Sequence, residues 1–213
     1  MFISVLELFK IGIGPSSSHT MGPMVAAKDF VSRIGRVNPE HHDMKNVSAR
    51  CTLKGSLAFT GKGHATDRAV ALGLHGYSPK SVAGQDVDAL IDQIWEQRSI
   101  VIDETHRIQF CPAQDIIFDK SESLPEHPNG MIFELMEESG QVLLEETYFS
   151  IGGGFISTLD EISSVVAPLK MESAAACPYP FNSAQSMLDM SANHDLSIAE
   201  MKRTNELEHH SEN

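Results

Sequence analysis

The sequence predicts an α+β protein followed by a short helical tail. Three observations carry the prediction. Three stretches place apolar residues at the helical period. One stretch alternates strictly and is followed by short β-rich segments and a hairpin signal. Past a Pro-Tyr-Pro break at residues 178–180, a helix-start signature opens a final segment.

Ser4-Val5-Leu6-Glu7 has the form of a capping box, in which serine and glutamate each satisfy an otherwise unpaired amide, so a short helix is expected through Phe9, ending before Gly12. Gly12 to Pro23 follows, and no other stretch is as dense in small residues, hydroxyls and imidazole: Ser16, Ser17, Ser18, His19 and Thr20 stand together. Met24, Ala27, Val31 and Ile34 then mark one face of a helix, with Pro23 in its first turn, where the missing N–H has no intrahelical partner anyway. Such a loop delivers hydroxyls and backbone amides to the positive end of a helix, a seat for a carboxylate or phosphate; a plain helix cap is the alternative.

Asn38 to Asp43 is polar, and its adjacent His41 and His42 read as a solvated turn, since no second cluster of metal-ligating residues accompanies them. Val47, Ala49, Cys51 and Leu53 alternate with Ser48, Arg50, Thr52 and Lys54, which predicts a half-buried strand with Cys51 inside. A second glycine loop, residues 55–63, is expected to feed a helix beginning near His64, with Ala65, Ala69 and Leu72 on one face. The spacing of Gly61-Lys62-Gly63 does not make a nucleotide-binding loop. A histidine in the first turn of a helix has its cationic form disfavoured by the dipole, so His64 is a candidate base, against the plainer reading of a cap or surface residue.

Asp86 opens a third amphipathic helix through Val87, Leu90, Ile91 and Ile94, and Arg98 follows it. Residues 100–102, 108–110 and 116–118 read as strands. His127-Pro128-Asn129-Gly130 is a turn by composition, leading into a hairpin of residues 132–137 and 141–150 joined at Glu138-Ser139-Gly140. Gly152, Gly153 and Gly154 after the second strand mark close backbone approach, to another element or to a ligand. From Ser157 to Ala176 the texture is that of a loop. Ser183 to Met190 reads as a short helix, and the capping box Ser197-Ile198-Ala199-Glu200 opens another.

With 16 Lys+Arg against 29 Asp+Glu, the net charge of -13 argues against nucleic acid or an anionic membrane surface as the main partner. The first ten residues lack a basic start and carry Glu7 and Lys10, which makes a poor signal peptide, and no stretch is long and apolar enough to span a membrane. Cys51, Cys111 and Cys177 are odd in number and widely spaced, which fits a reducing cytoplasm and offers no metal site.

Gly12 to Thr20, Gly55-Ser56-Leu57-Ala58 with Thr60 to Asp67, His127 to Met131, and Tyr148 to Gly154 together resemble the iron-sulfur-dependent bacterial L-serine dehydratases. The resemblance implies an N-terminal beta domain, a mixed sheet with helices on one face similar to the allosteric substrate-binding domain of some phosphoglycerate dehydrogenases. It also implies an all-helical alpha domain that holds a [4Fe-4S] cluster by cysteines. The cluster cysteines have no counterparts among Cys51, Cys111 and Cys177. The expected organisation is therefore a beta domain over residues 1–160, a linker over 161–182 and the start of the alpha domain over 183–213, inactive alone. The reaction implied is conversion of L-serine to pyruvate and ammonia, with the cluster as Lewis acid on the leaving hydroxyl. His64 resembles the proposed base; Ser16, Ser17, Ser18, His19, Thr20, His127, Asn129, Ser150 and Gly152 would line the substrate. A homodimer, or association with a catalytic alpha chain, is expected. The competing reading is a free-standing amino-acid or anion-binding regulatory module. A serine hydrolase built on Ser17 or Ser18 with His19 is disfavoured, because adjacent residues seldom meet in triad geometry and no nucleophile elbow is present.

Overall fold

The computed structural model describes residues 12–35, 46–103, 106–163, 177–181 and 183–208. The helix expected near Ser4, and the pairs His41-His42 and His209-His210, lie outside these residues. The chain divides into two compact units, Ile11–Val166 and a second that contains the C-terminal helices.

In the first unit, α1 (Gly22–Ile34) carries Pro23 in its opening turn and buries Met24, Ala27 and Ile34 of the face its periodicity marks, with Val31 half-buried and Phe30 fully buried beside them. The serine stretch ahead of it is not a loop. Ser17–Met21 forms one π-helical turn that runs straight into α1. The next element, β1 (Val47–Lys54), alternates buried and half-buried residues along its whole length, with Cys51 fully inside. The expected glycine loop is also mostly helical: α2 (Ser56–Thr60) is followed by a 3-10 turn, Gly61–His64, and α3 (Thr66–Leu74) begins two residues beyond His64. Helix α4 (Val87–Gln97) matches its signals, since the Asp86 side chain accepts from the Ala89 amide and Arg98 ends the helix at φ 51°.

The remaining elements are β2 (Ser99–Val101), β3 (Arg107–Gln109), a short helix α5 (Pro112–Asp115), β4 (Ile116–Asp119), β5 (Gly130–Glu137), β6 (Val142–Gly152), β7 (Phe155–Thr158) and α6 (Leu159–Ser163). The last two occupy the start of the stretch expected to be loop. Among the described residues the sheet has seven strands in the order β2-β3-β1-β5-β6-β7, with β4 also on β1. Strand β1 runs parallel to β3 and β4, which share one of its edges, and antiparallel to β5 on the other.

Helices pack on the face that carries Ala49, Cys51, Leu53, Phe133 and Tyr148, while Arg50, Thr52 and Lys54 on the opposite face keep partial exposure. Phe133 anchors the seam: its ring lies 5.3 Å from Phe30 and edge-on to Tyr148 at 5.7 Å. Each such ring contributes about 1.5–3 kcal/mol by burial. The Tyr148 hydroxyl, buried with its ring, donates to Asp29 at 2.6 Å. Arg33 bridges Asp29 (2.7 Å) and Glu146 (2.6 Å), so α1 and β6 are joined by polar as well as apolar contact.

In the second unit, α7 (Ala184–His194) and α8 (Ile198–Leu207) each open on a serine capping box, at Ser183 and Ser197. Asn205, fully buried, accepts from the Tyr179 amide and donates to the Tyr179 carbonyl, both at 2.9 Å, and thereby fixes the segment ahead of α7.

Candidate functional site

The π-turn sets the position of His19. Ser16 caps the turn: its carbonyl accepts from the amides of Thr20 and Met21, and its hydroxyl accepts from the His19 amide at 3.2 Å. The Gly22 amide goes to the Ser17 carbonyl. The amides of His19, Thr20, Met21 and Gly22 are therefore taken up inside the turn and do not face outward as an anion seat would require. Ser16 Oγ lies 3.3 Å from Ser18 Oγ, which lies 2.9 Å from His19 Nδ1. On the other side of the ring, His19 Nε2 is 3.0 Å from Ser56 Oγ. Ser17 is exposed.

His64 stands at the end of the 3-10 turn, separated from α3 by Ala65, which adopts the left-handed φ of 54°. It is therefore not in the first turn of the helix. Its protonation pattern is set instead by the Thr60 carbonyl, 2.9 Å from Nδ1. A carbonyl can only accept, so Nδ1 carries the hydrogen and Nε2 of the neutral ring is the basic lone pair. The two imidazoles meet, with ring centroids 4.8 Å apart and planes tilted by 42°. Their backbones are tied crosswise: the Thr20 hydroxyl donates to the His64 carbonyl (2.9 Å), and the Thr66 hydroxyl donates to the His19 carbonyl (2.6 Å). Thr20 is thus buried behind the histidines, its hydroxyl turned to the backbone.

The turn at 127–130 joins the same assembly. The Ser56 amide donates to the Pro128 carbonyl at 2.8 Å. The Asn129 amide donates to His127 Nδ1 at 3.1 Å, so the neutral His127 ring carries its hydrogen on Nε2, the opposite tautomer to His64. Asn129 Nδ2 donates to the Ser150 carbonyl at 3.1 Å, and the Ser150 amide donates to the Asn129 carbonyl at 3.0 Å. Ser150 itself is fully buried, and its hydroxyl has no hydrogen-bond partner among the described residues. It faces Gly22, where an added Cβ would lie 2.0 Å from Ser150 Oγ. Gly152, Gly153 and Gly154 all have positive φ and turn the chain into β7; nothing lies within 4 Å of a Cβ added at Gly152, whereas one at Gly154 would meet Met21 of the π-turn.

Burial, then the charge of His64, pushes the pKa of His19 below its ordinary value, and burial does the same for His127. Both rings are held toward the neutral form.

The family model for the serine dehydratase beta chain matches residues 4–161. The chain belongs to that family. L-serine dehydratase of Helicobacter pylori is 39% identical over 203 residues, 95% of this chain and 43% of the relative. L-serine dehydratase TdcG of Escherichia coli is 40% identical over 209 residues (96% and 43%), and that of Streptomyces coelicolor 39% over 206 (97% and 44%). This beta chain therefore spans less than half the length of the curated relatives it matches.

Two contacts of this serine dehydratase beta chain escape local sequence reading. Ser56 and Thr66 hold His19 through its ring and its carbonyl, yet neither stands out by period or composition; their only signal is membership of the motifs at 55–58 and 60–67. Ser18 Oγ lies within hydrogen-bond distance of the neighbouring His19 Nδ1. That pair makes no triad, since His19 Nε2 meets the Ser56 hydroxyl where a carboxylate would be needed. Among the described residues, no three or more His, Cys, Asp or Glu side chains gather as a metal site, and no helix is long and apolar enough to cross a membrane. Burial pushes the Cys51 thiol far up, which leaves it inert. A cleft of about 180 Å³ lined by His75, Tyr77, Gln93 and Gln97 includes none of the predicted site residues.

Proposed function

We propose that this chain is the substrate-binding part of an L-serine dehydratase that converts L-serine to pyruvate and ammonia. In this reading His64 Nε2 removes the α-proton, and His19 with the hydroxyls of Ser16, Ser17 and Ser18 holds the carboxylate. His127, as an Nε2–H donor, and Asn129 steady the remaining polar groups, while Ser150 and Gly152 back the wall of the pocket and Thr20 supports it from behind. The observation that carries the reading is the pairing of opposite tautomers, a lone pair on His64 and an N–H on His127, in one hydrogen-bonded assembly with His19.

The domain organisation that goes with it is a beta domain over 1–160, a linker over 161–182 and the opening of an alpha domain over 183–213. The [4Fe-4S] cluster implied by the resemblance would supply the Lewis acid for the leaving hydroxyl. The cysteines here do not fit as its ligands, since Cys51 is buried in β1, Cys111 and Cys177 are only partly exposed, and no ligand cluster is found among the described residues. In this reading the cluster would be held outside this chain, by a catalytic alpha chain or in a dimeric assembly, in the cytoplasm.

The test is to supply the C-terminal region of a relative in trans, anaerobically, and to measure pyruvate released from L-serine. Turnover with the native chain and none with His64→Ala supports the proposal; turnover by this chain alone, or undiminished turnover with His64→Ala, overturns it. A regulatory binding module is the second reading, favoured by a hydroxyl and imidazole network built wholly within this chain. It predicts calorimetric L-serine binding to the chain alone and no association with the added region.

A further inference from the structure

We infer that Thr20 and Thr66 are positioning residues, whose crossed hydroxyl bonds hold His19 and His64 against each other as one unit. The inference rests on the assignment of that histidine pair to the substrate site. Each threonine follows one histidine in sequence, Thr20 directly after His19 and Thr66 two residues after His64, and each donates to the carbonyl of the other histidine, at 2.9 Å and 2.6 Å. A single bond between the two turns would leave them free to rock about it. Two bonds in opposite senses remove that freedom.

Burial and packing point the same way. Both threonines are buried, where a hydroxyl without a partner is costly and a bonded one holds its geometry. Each sits on a glycine that leaves it no slack. A Cβ at Gly14 would lie 2.6 Å from Thr20 Cγ2, and one at Gly61 would lie 2.9 Å from Thr66 Oγ1. Ala65 adopts a left-handed backbone between His64 and Thr66, a conformation that L-residues with a Cβ rarely take and that the surrounding contacts must enforce. A threonine side chain is stiff at χ1, so fixing its hydroxyl fixes the backbone that carries it.

The experiment uses this chain, with Thr20→Val, Thr66→Val and the corresponding serine variants, compared by circular dichroism for fold and by nuclear magnetic resonance for the imidazoles. In the native chain, the ring protons of His19 and His64, whose centroids lie 4.8 Å apart, are expected to show mutual Overhauser contacts, and the His64 nitrogen shifts are expected to report a protonated Nδ1. Loss of those contacts in the folded valine variants, with retention in the serine variants, is expected. Folded valine variants that keep the contacts and nitrogen shifts unchanged overturn the inference. Should the valine variants fail to fold, the native hydroxyl protons of Thr20 and Thr66 decide: slowly exchanging resonances support the inference and fast exchange overturns it. Failure of the dehydratase reading would appear separately, as absent pyruvate from the native chain in the complemented assay, with the resonance data unaffected.

Discussion

His64 lies across from His19, ring centroid to ring centroid at 4.8 Å, and it is the second-largest cause, after burial, of the lowered His19 pKa. Two imidazolium rings at that distance repel, so charge on His64 makes a proton on His19 harder to add. His64→Gln, which stays neutral, is expected to raise the midpoint of His19 toward its ordinary value in a nuclear magnetic resonance titration. An unmoved midpoint would mean that burial alone sets the shift.

Acid should weaken the fold before it titrates the carboxylates. Burial lowers the pKa of His19, of His75 and of His127 from the ordinary 6.5. Below about 6.5 the unfolded chain binds more protons than the folded one, so stability is complete above that value and is lost as pH falls through the depressed folded values. Urea midpoints taken from about pH 7.5 down to about pH 5 are expected to decline steadily. A flat profile over that window would contradict the shifts.

The contact between Gly22 and Ser150 is expected to tolerate change in one direction only. A Cβ at Gly22 would fall 2.0 Å from Ser150 Oγ, so Gly22→Ala should cost about 1–3 kcal/mol by overpacking. Ser150→Ala removes a buried hydroxyl that has no partner among the described residues, and should leave stability equal or raised by up to about 1 kcal/mol. Chemical denaturation of both variants checks the pair; a marked loss in Ser150→Ala would show that the hydroxyl is bonded.

Gly55 carries the connection between α2 and the turn at 127–130. Its φ of 57° with ψ of −130° is a glycine conformation, and an added Cβ would lie 2.3 Å from the Pro128 carbonyl, the acceptor of the Ser56 amide. Gly55→Ala should therefore destabilise by about 1–3 kcal/mol, and the Ser56 amide should lose protection in hydrogen exchange. Retained protection at Ser56 would show that the turn adjusts without breaking the bond.

The amino-acid sequence by itself determined the elements whose signals are local. The alternation from Val47 to Leu53, the buried face of Met24, Ala27 and Ile34, and the caps at Asp86 and Ser197 all follow from interactions within a few residues, and the structure reproduces them. The chemistry-bearing motifs were legible for the same reason: their hydroxyls, imidazoles and glycines are concentrated in short stretches. Tertiary structure alone decided how those stretches meet. Ser56 reaches His19 across 37 positions, and Thr20 and Thr66 reach His64 and His19 across 44 and 47. No local period encodes such bonds, which exist because β1, α1 and α3 fold their ends together. The same cause moved His64 out of its expected helix start. The helical turns at 56–60 and 61–64 and the left-handed Ala65 follow a Gly55 fitted closely to Pro128, a contact that the sequence of that segment does not contain.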